Sequence, residues 1–175
     1  MSIEGTHELG PDNARLTVRT ERTGAVAKAG HDLLLVVQAW EGTLALGDTP
    51  SVSLVAESKT FKVLEGSGGV QALGDDDKAN IEQTIDDEVL HKRKIKFNST
   101  DVQVDGDRIT VTGDLRMNMN TNPVTFDLAV GDDGRVSGSA VVKQSDWGLT
   151  PYTALFGALK VADEVVVGIE TEPLS

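Results

Sequence analysis

Hydrophobic and polar residues alternate along most of this chain, and the alternation is cleanest in its last third. From residue 109 one face carries Ile109, Val111, Gly113, Leu115, Met117 and Met119, while Thr110, Thr112, Asp114, Arg116 and Asn118 fall on the other. After a break, Val124, Phe126, Leu128 and Val130 resume the pattern. Period-two alternation over runs this long predicts strands with one dry face and one wet face, which is how a closed antiparallel β barrel reads in sequence. A barrel of about eight strands has an interior just wide enough to be packed solid or to hold one small ligand.

In all, strand-like runs cover residues 14–21, 33–46, 52–57, 95–104, 108–119, 124–130, 135–143 and 162–170, the run 33–46 being long enough to bend or break at Gly42. Turn chemistry separates them at 47–50, 105–107, 120–123 and 131–134. Counted this way the chain holds eight or nine strands joined mostly as hairpins, in one domain spanning residues 1–175 with a core from about 9 to 172. One segment departs from the pattern. Ile81, Ile85 and Val89 are spaced as an apolar stripe on a helix from about Asp76 to Lys92. Its charges follow the helix dipole, with Asp75, Asp76 and Asp77 at the start and His91, Lys92, Arg93 and Lys94 at the end.

The formal charge of −12 argues against non-specific nucleic-acid binding, which needs a net basic face, and against anionic membranes. No apolar run reaches the length of a membrane helix, so stable membrane insertion is not expected. The first residues lack the basic start and apolar stretch of a secretory signal, so a cytoplasmic location is expected, or a periplasmic or secreted one if a leader is removed. The chain has no cysteine, which excludes disulfides and thiolate chemistry.

Candidate chemistry is sparse. The acidic residues 75–77 and 86–88 lack the spacing of a calcium loop and are explained by helix capping and a solvated face, so no metal and no cofactor is expected. His31, beside Asp32 where an irregular stretch enters a strand, has three readings: an acid–base group, a polar contact to a ligand headgroup, or a structural histidine. The first needs a second group, which Ser145 or Asp146 supplies only if the fold brings it close. His7 falls in what reads as a frayed terminus, and His91 as a helix end. The basic run 91–96 could hold an anion, though the helix dipole accounts for it. Aromatic residues make up only 4% of the chain, which favours an aliphatic cavity or a slim barrel.

Taken in order, several segments resemble the YceI-like proteins: residues 10–18, the helix ending in Val89 and Leu90, the run 94–99, the run 111–117, the strand start at Pro123, the Asp146-Trp147-Gly148-Leu149 stretch, and the closing run 161–169. The resemblance covers residues 9–172. It implies a mainly β, closed or nearly closed antiparallel eight-stranded lipocalin-like barrel with one α-helix packed over it, which binds polyisoprenoid and other long-chain lipids and forms a homodimer.

On that footing the expected function is a non-catalytic carrier of an isoprenoid or other long-chain apolar lipid. The expected ligand-binding residues are Val18, His31, Trp40, Leu44, Phe97, Leu115, Met117, Phe126, Trp147 and Phe156, with Arg116 a second headgroup candidate beside His31. Two other readings remain open: an enzyme using His31 and Asp32 on a lipid or small apolar substrate, and a packed barrel acting as a stress-related protein-interaction module. The loop 149–156, with Tyr152 and Phe156, suits a cavity lid or a dimer contact equally.

Overall fold

The alternating segments are strands in the computed structural model, which describes residues 3–24, 27, 30–69, 72–154 and 159–174. They are β1 (Gly5–Leu9), β2 (Ala14–Thr20), β3 (Arg22–Thr23), β4 (Asp32–Val37), β5 (Trp40–Leu46), β6 (Ser51–Ala56) and β7 (Phe61–Ser67). After the helix α1 (Asp75–Thr84) come β8 (Ile95–Asp105), β9 (Arg108–Met117), β10 (Asn120–Val130), β11 (Val136–Lys143), β12 (Thr153–Ala154), β13 (Leu159–Val161) and β14 (Glu164–Thr171).

Eleven strands form one antiparallel sheet in the order β1-β5-β6-β8-β9-β10-β11-β14-β2-β4-β7, and β12-β13-β3 form a small second sheet. The architecture is therefore mainly β with one helix, but the eight-stranded closed barrel is corrected to a curled eleven-stranded half-barrel. Its edges β1 and β7 share no ladder among the described residues. Two of the additional strands come from segments that read as irregular. Residues 5–9 pair with β5, placing His7 opposite Leu44 in a buried position rather than in a frayed terminus. Residues 61–67 pair with β4, and only Phe61 and Val63 carry a buried alternation there before Gly66 and Ser67.

Two further boundaries move. The run 33–46 breaks at Gln38 and Ala39, not at Gly42, which stays inside β5. The β9–β10 hairpin turns at Asn118 and Met119, with φ of 49° and 64°, the double left-handed conformation of a type I′ turn. Residues 120–123 are consequently strand, and Met119 is an exposed turn tip rather than an inner-wall residue.

The helix begins where the Gly74 N–H donates to the Asp77 carboxylate at 3.0 Å. A wider π-type turn, Ile85–Val89, finishes it, and His91 and Lys92 reverse the chain in left-handed conformations. The helix lies along the free edge of β7. There Glu82 accepts the Val63 N–H at 2.9 Å and pairs with Lys62 at 3.3 Å, and Asp86 accepts the Ser58 hydroxyl at 2.6 Å. An edge strand's unpaired N–H is thus satisfied by a helix side chain instead of another strand.

The apolar interior divides in two. One cluster joins Leu35, Val37, Trp40, Phe61, Leu90, Met117 and Trp147, with Ile81 and Ile85 of the helix side against it. The other joins Ile3, Leu44, Leu46, Phe97, Ile109, Val111, Leu128, Val136 and Leu174.

Candidate ligand-binding cavity

Between these clusters the half-barrel encloses a cavity of about 510 Å³, within the size range of small-molecule sites. The sheet supplies most of the wall. Inward positions of successive strands contribute Leu16 and Val18, Leu33 and Leu35, Leu44, Leu54, Phe97, Leu115 and Met117, Val124 and Phe126, Ala140 and Val142, and Val165 and Val167. The open side is covered by the helical stripe Ile81, Ile85 and Val89, so the feature that marked the helix in the sequence is what roofs the cavity.

Seven residues expected inside do line the cavity: Val18, His31, Leu44, Phe97, Leu115, Met117 and Phe126. The Phe97 and Phe126 rings pack together with centroids 5.5 Å apart and planes tilted by 55°. Trp40 and Trp147 do not border the cavity; both are buried in the cluster beside it. Trp147 is anchored there by its indole N–H, which donates to the Leu115 carbonyl at 2.7 Å, whereas the Trp40 indole N–H has no partner among the described residues. Phe156 lies outside the described residues. Arg116 is not on the cavity wall: its neighbours on the strand, Leu115 and Met117, face inward, so alternation turns it outward.

Polar groups in the wall are few and several gather at one end. Thr20, Arg22, His31, Tyr152 and Lys160 all border the cavity there. Backbone pairing brings them together, since β13 pairs with β3 at Lys160 opposite Thr23 and Val161 opposite Arg22, and the Val161 N–H donates to the Tyr152 carbonyl. Arg22 Nη1 donates to the carbonyls of Gly30 at 3.2 Å and Ser67 at 2.9 Å. Gly68 and Gly69, both at positive φ, close over this end; a Cβ on Gly68 would overlap the Arg22 guanidinium, and one on Gly69 would come within 2.5 Å of His31 Nε2.

Sequence reasoning missed Thr20, Arg22 and Lys160. The signal for the first two was present, because the inward series Leu16, Val18, Thr20, Arg22 turns polar at its end, as a strand does where it reaches a mouth.

His31 and Asp32 are turned apart. His31 borders the cavity, while the Asp32 carboxylate is away from it and accepts the Arg22 backbone N–H at 2.8 Å. Ser145 is engaged with Asp163, and neither Ser145 nor Asp146 reaches the cavity wall. No Asp or Glu borders the cavity among the described residues. The acidic runs of the helix are used locally: Asp87 pairs with Lys92 at 2.9 Å, which holds the Asp87 carboxyl below its ordinary value. Among the described residues no group of His, Asp and Glu is arranged to hold a metal, and no helix is long and apolar enough to cross a membrane.

A curled antiparallel half-barrel with a helix along its open edge and an aliphatic cavity inside defines a class of cavity-bearing β proteins. This chain belongs to the YceI-like domain family, whose model matches residues 37–173. Among solved structures it is similar to BcnA from Burkholderia cenocepacia, at 15% identity and a TM-score of 0.65, covering 90% of this chain and 94% of that one. It is also similar to the YceI protein of Campylobacter jejuni, at 13% identity and a TM-score of 0.53, covering 78% of this chain and 81% of that one. At these identities the likeness is one of fold. No curated protein matches the chain.

Proposed function

We propose that this protein is a non-catalytic binding or carrier protein for an isoprenoid or other long-chain apolar lipid held inside the half-barrel. The observation that carries the reading is the cavity of about 510 Å³ with a largely aliphatic wall and a polar end. Binding is then a partition of the tail out of water, each buried methylene contributing about 0.8 kcal/mol, with polar groups at the mouth fixing the head. A solid interior would have favoured a protein-interaction module, and a paired acid and base on the wall would have favoured an enzyme. The cavity, and a wall without carboxylates among the described residues, support the carrier reading over both.

The test is solvent extraction and mass spectrometry of protein purified from its native host, beside the variant Ala140→Trp, which places an indole in the cavity wall. A stoichiometric lipid present in the parent and lost in the folded variant is the expected result. A clean extract from folded parent protein, together with no binding of added long-chain lipids, would overturn the reading.

A further inference from the structure

We infer that the cavity mouth selects one headgroup class, a monocarboxylate, so that the preferred ligand is a long-chain fatty acid rather than a neutral lipid or a prenyl diphosphate. The inference rests on the carrier reading and names the ligand that reading leaves open.

Charge at the cavity runs against charge elsewhere. The chain has 28 acidic and 16 basic residues. None of the acids borders the cavity among the described residues, while Arg22 and Lys160 do, with His31 beside them. Arg22 is half-buried and held in place through its two backbone carbonyl acceptors, so it is a fixed cation rather than a solvated one. Asp32, the acid next to it, has an oxygen bonded to the Arg22 backbone N–H, and no carboxylate pairs with the guanidinium among the described residues. A guanidinium bonded to neutral carbonyls retains its full charge and has further N–H donors, which favours an anion at a low-dielectric wall.

A second, independent observation points the same way. The Thr20 hydroxyl, two residues before Arg22 on the same face of the chain, is buried against the cavity with no hydrogen-bond partner among the described residues. Buried hydroxyls are ordinarily satisfied, so this one is available to donate to a bound group. One fixed guanidinium and one hydroxyl match the acceptor capacity of a single carboxylate. A diphosphate presents more charge and more acceptor oxygens than these donors meet, because Lys160 is exposed at the rim. Thr20, Arg22 and His31 precede the segment matched by the family model, and Lys160 lies within it.

Delipidated protein is titrated at low salt with palmitate, hexadecanol, palmitamide and farnesyl diphosphate, with acetate as a tail-free control. Palmitate is expected to bind about tenfold or more tightly than hexadecanol or palmitamide, as for one charge-assisted hydrogen-bond contact, and acetate not at all. Arg22→Gln and Thr20→Val should each bring palmitate toward hexadecanol. Thr20→Val conserves shape and decides the matter if Arg22→Gln fails to fold. Equal binding of palmitate and hexadecanol, or tighter binding of farnesyl diphosphate, overturns the headgroup assignment and leaves the carrier reading standing. If none of the long-chain compounds binds, it is the carrier reading that fails.

Discussion

A single strand, β9, shows how the two parts of this molecule differ. Ile109 and Val111 near its start are 1% and 0% exposed, packed against Leu44, Leu46 and Leu128 with Ile3 and Leu174 in the same cluster. Leu115 and Met117, on the same face a few residues later, border the cavity. The residue types are alike and the alternation is unbroken. What changes is the opposite side. The first half of the strand meets other strands and both chain ends, whereas the second half faces the helix across the cavity. Gly113 marks the boundary, since a Cβ there would lie 2.5 Å from the Phe97 ring that folds over it. An identical sequence pattern therefore builds a packed floor or a cavity wall, depending on what the sheet curls toward.

The largest test of this contrast is a truncation at each end of the strand. Ile109→Ala should cost roughly 2–5 kcal/mol, as a cavity opened in close packing does, and Leu115→Ala at least about 1 kcal/mol less, because its side chain already borders empty space. Urea unfolding of the delipidated variants measures both, and equal costs would show the wall to be as tightly packed as the floor.

Next in size is the roof. Glu82→Ala removes the acceptor for the Val63 N–H and the partner of Lys62, a loss of about 1.5–3 kcal/mol for a charge-assisted bond. Hydrogen exchange should accelerate at residues 75–89 and at Val63 while β9 and β10 stay protected. Uniform acceleration across the sheet would instead mean that the helix is integral to the packed half.

A smaller effect separates the two tryptophans beside the cavity. Trp147→Phe leaves the Leu115 carbonyl without its indole donor, whereas Trp40→Phe removes an N–H that has no partner among the described residues. Trp147→Phe should be the more damaging by about 1 kcal/mol in thermal or urea unfolding.

The smallest lies on the outer face of the packed half. Arg108, and then the Thr110 hydroxyl, hold the Asp127 carboxyl below its ordinary value. A lowered carboxylate contributes stability at pH above its unfolded value and loses it as pH falls through the folded value. Parent protein should therefore melt slightly above Asp127→Asn near neutrality, the gap closing on acidification below about pH 4. A gap that persists at the acid end would locate the effect in packing rather than charge.

Much of this was legible beforehand, and the failures have physical causes. The alternation in β9, β10, β11 and β14, and the i, i+4, i+8 stripe of the helix, survived because long periodic runs are strongly determined. His7 was misread because nothing near the chain start announces that β5 will have a free edge for it. The two tryptophans share strand or turn positions with true wall residues, and only the local packing separates them from the cavity. The turn at Asn118 and Met119 lost to the more turn-like residues 120–123, although Asn-Met in left-handed conformations satisfied the hairpin twist.

By itself, the chain's order of apolar and polar residues determined which side chains share a face, because the pleat sends neighbours to opposite sides of a strand. It also determined that a helix would bring an apolar stripe to the sheet. Only the tertiary structure decided that eleven strands curl without closing, that the helix roofs the opening, and that Arg22, Thr20 and Lys160 meet at one mouth. Alternation fixes the direction in which a side chain points; how far it reaches before touching another depends on curl, stagger and pairing between segments up to the whole chain apart.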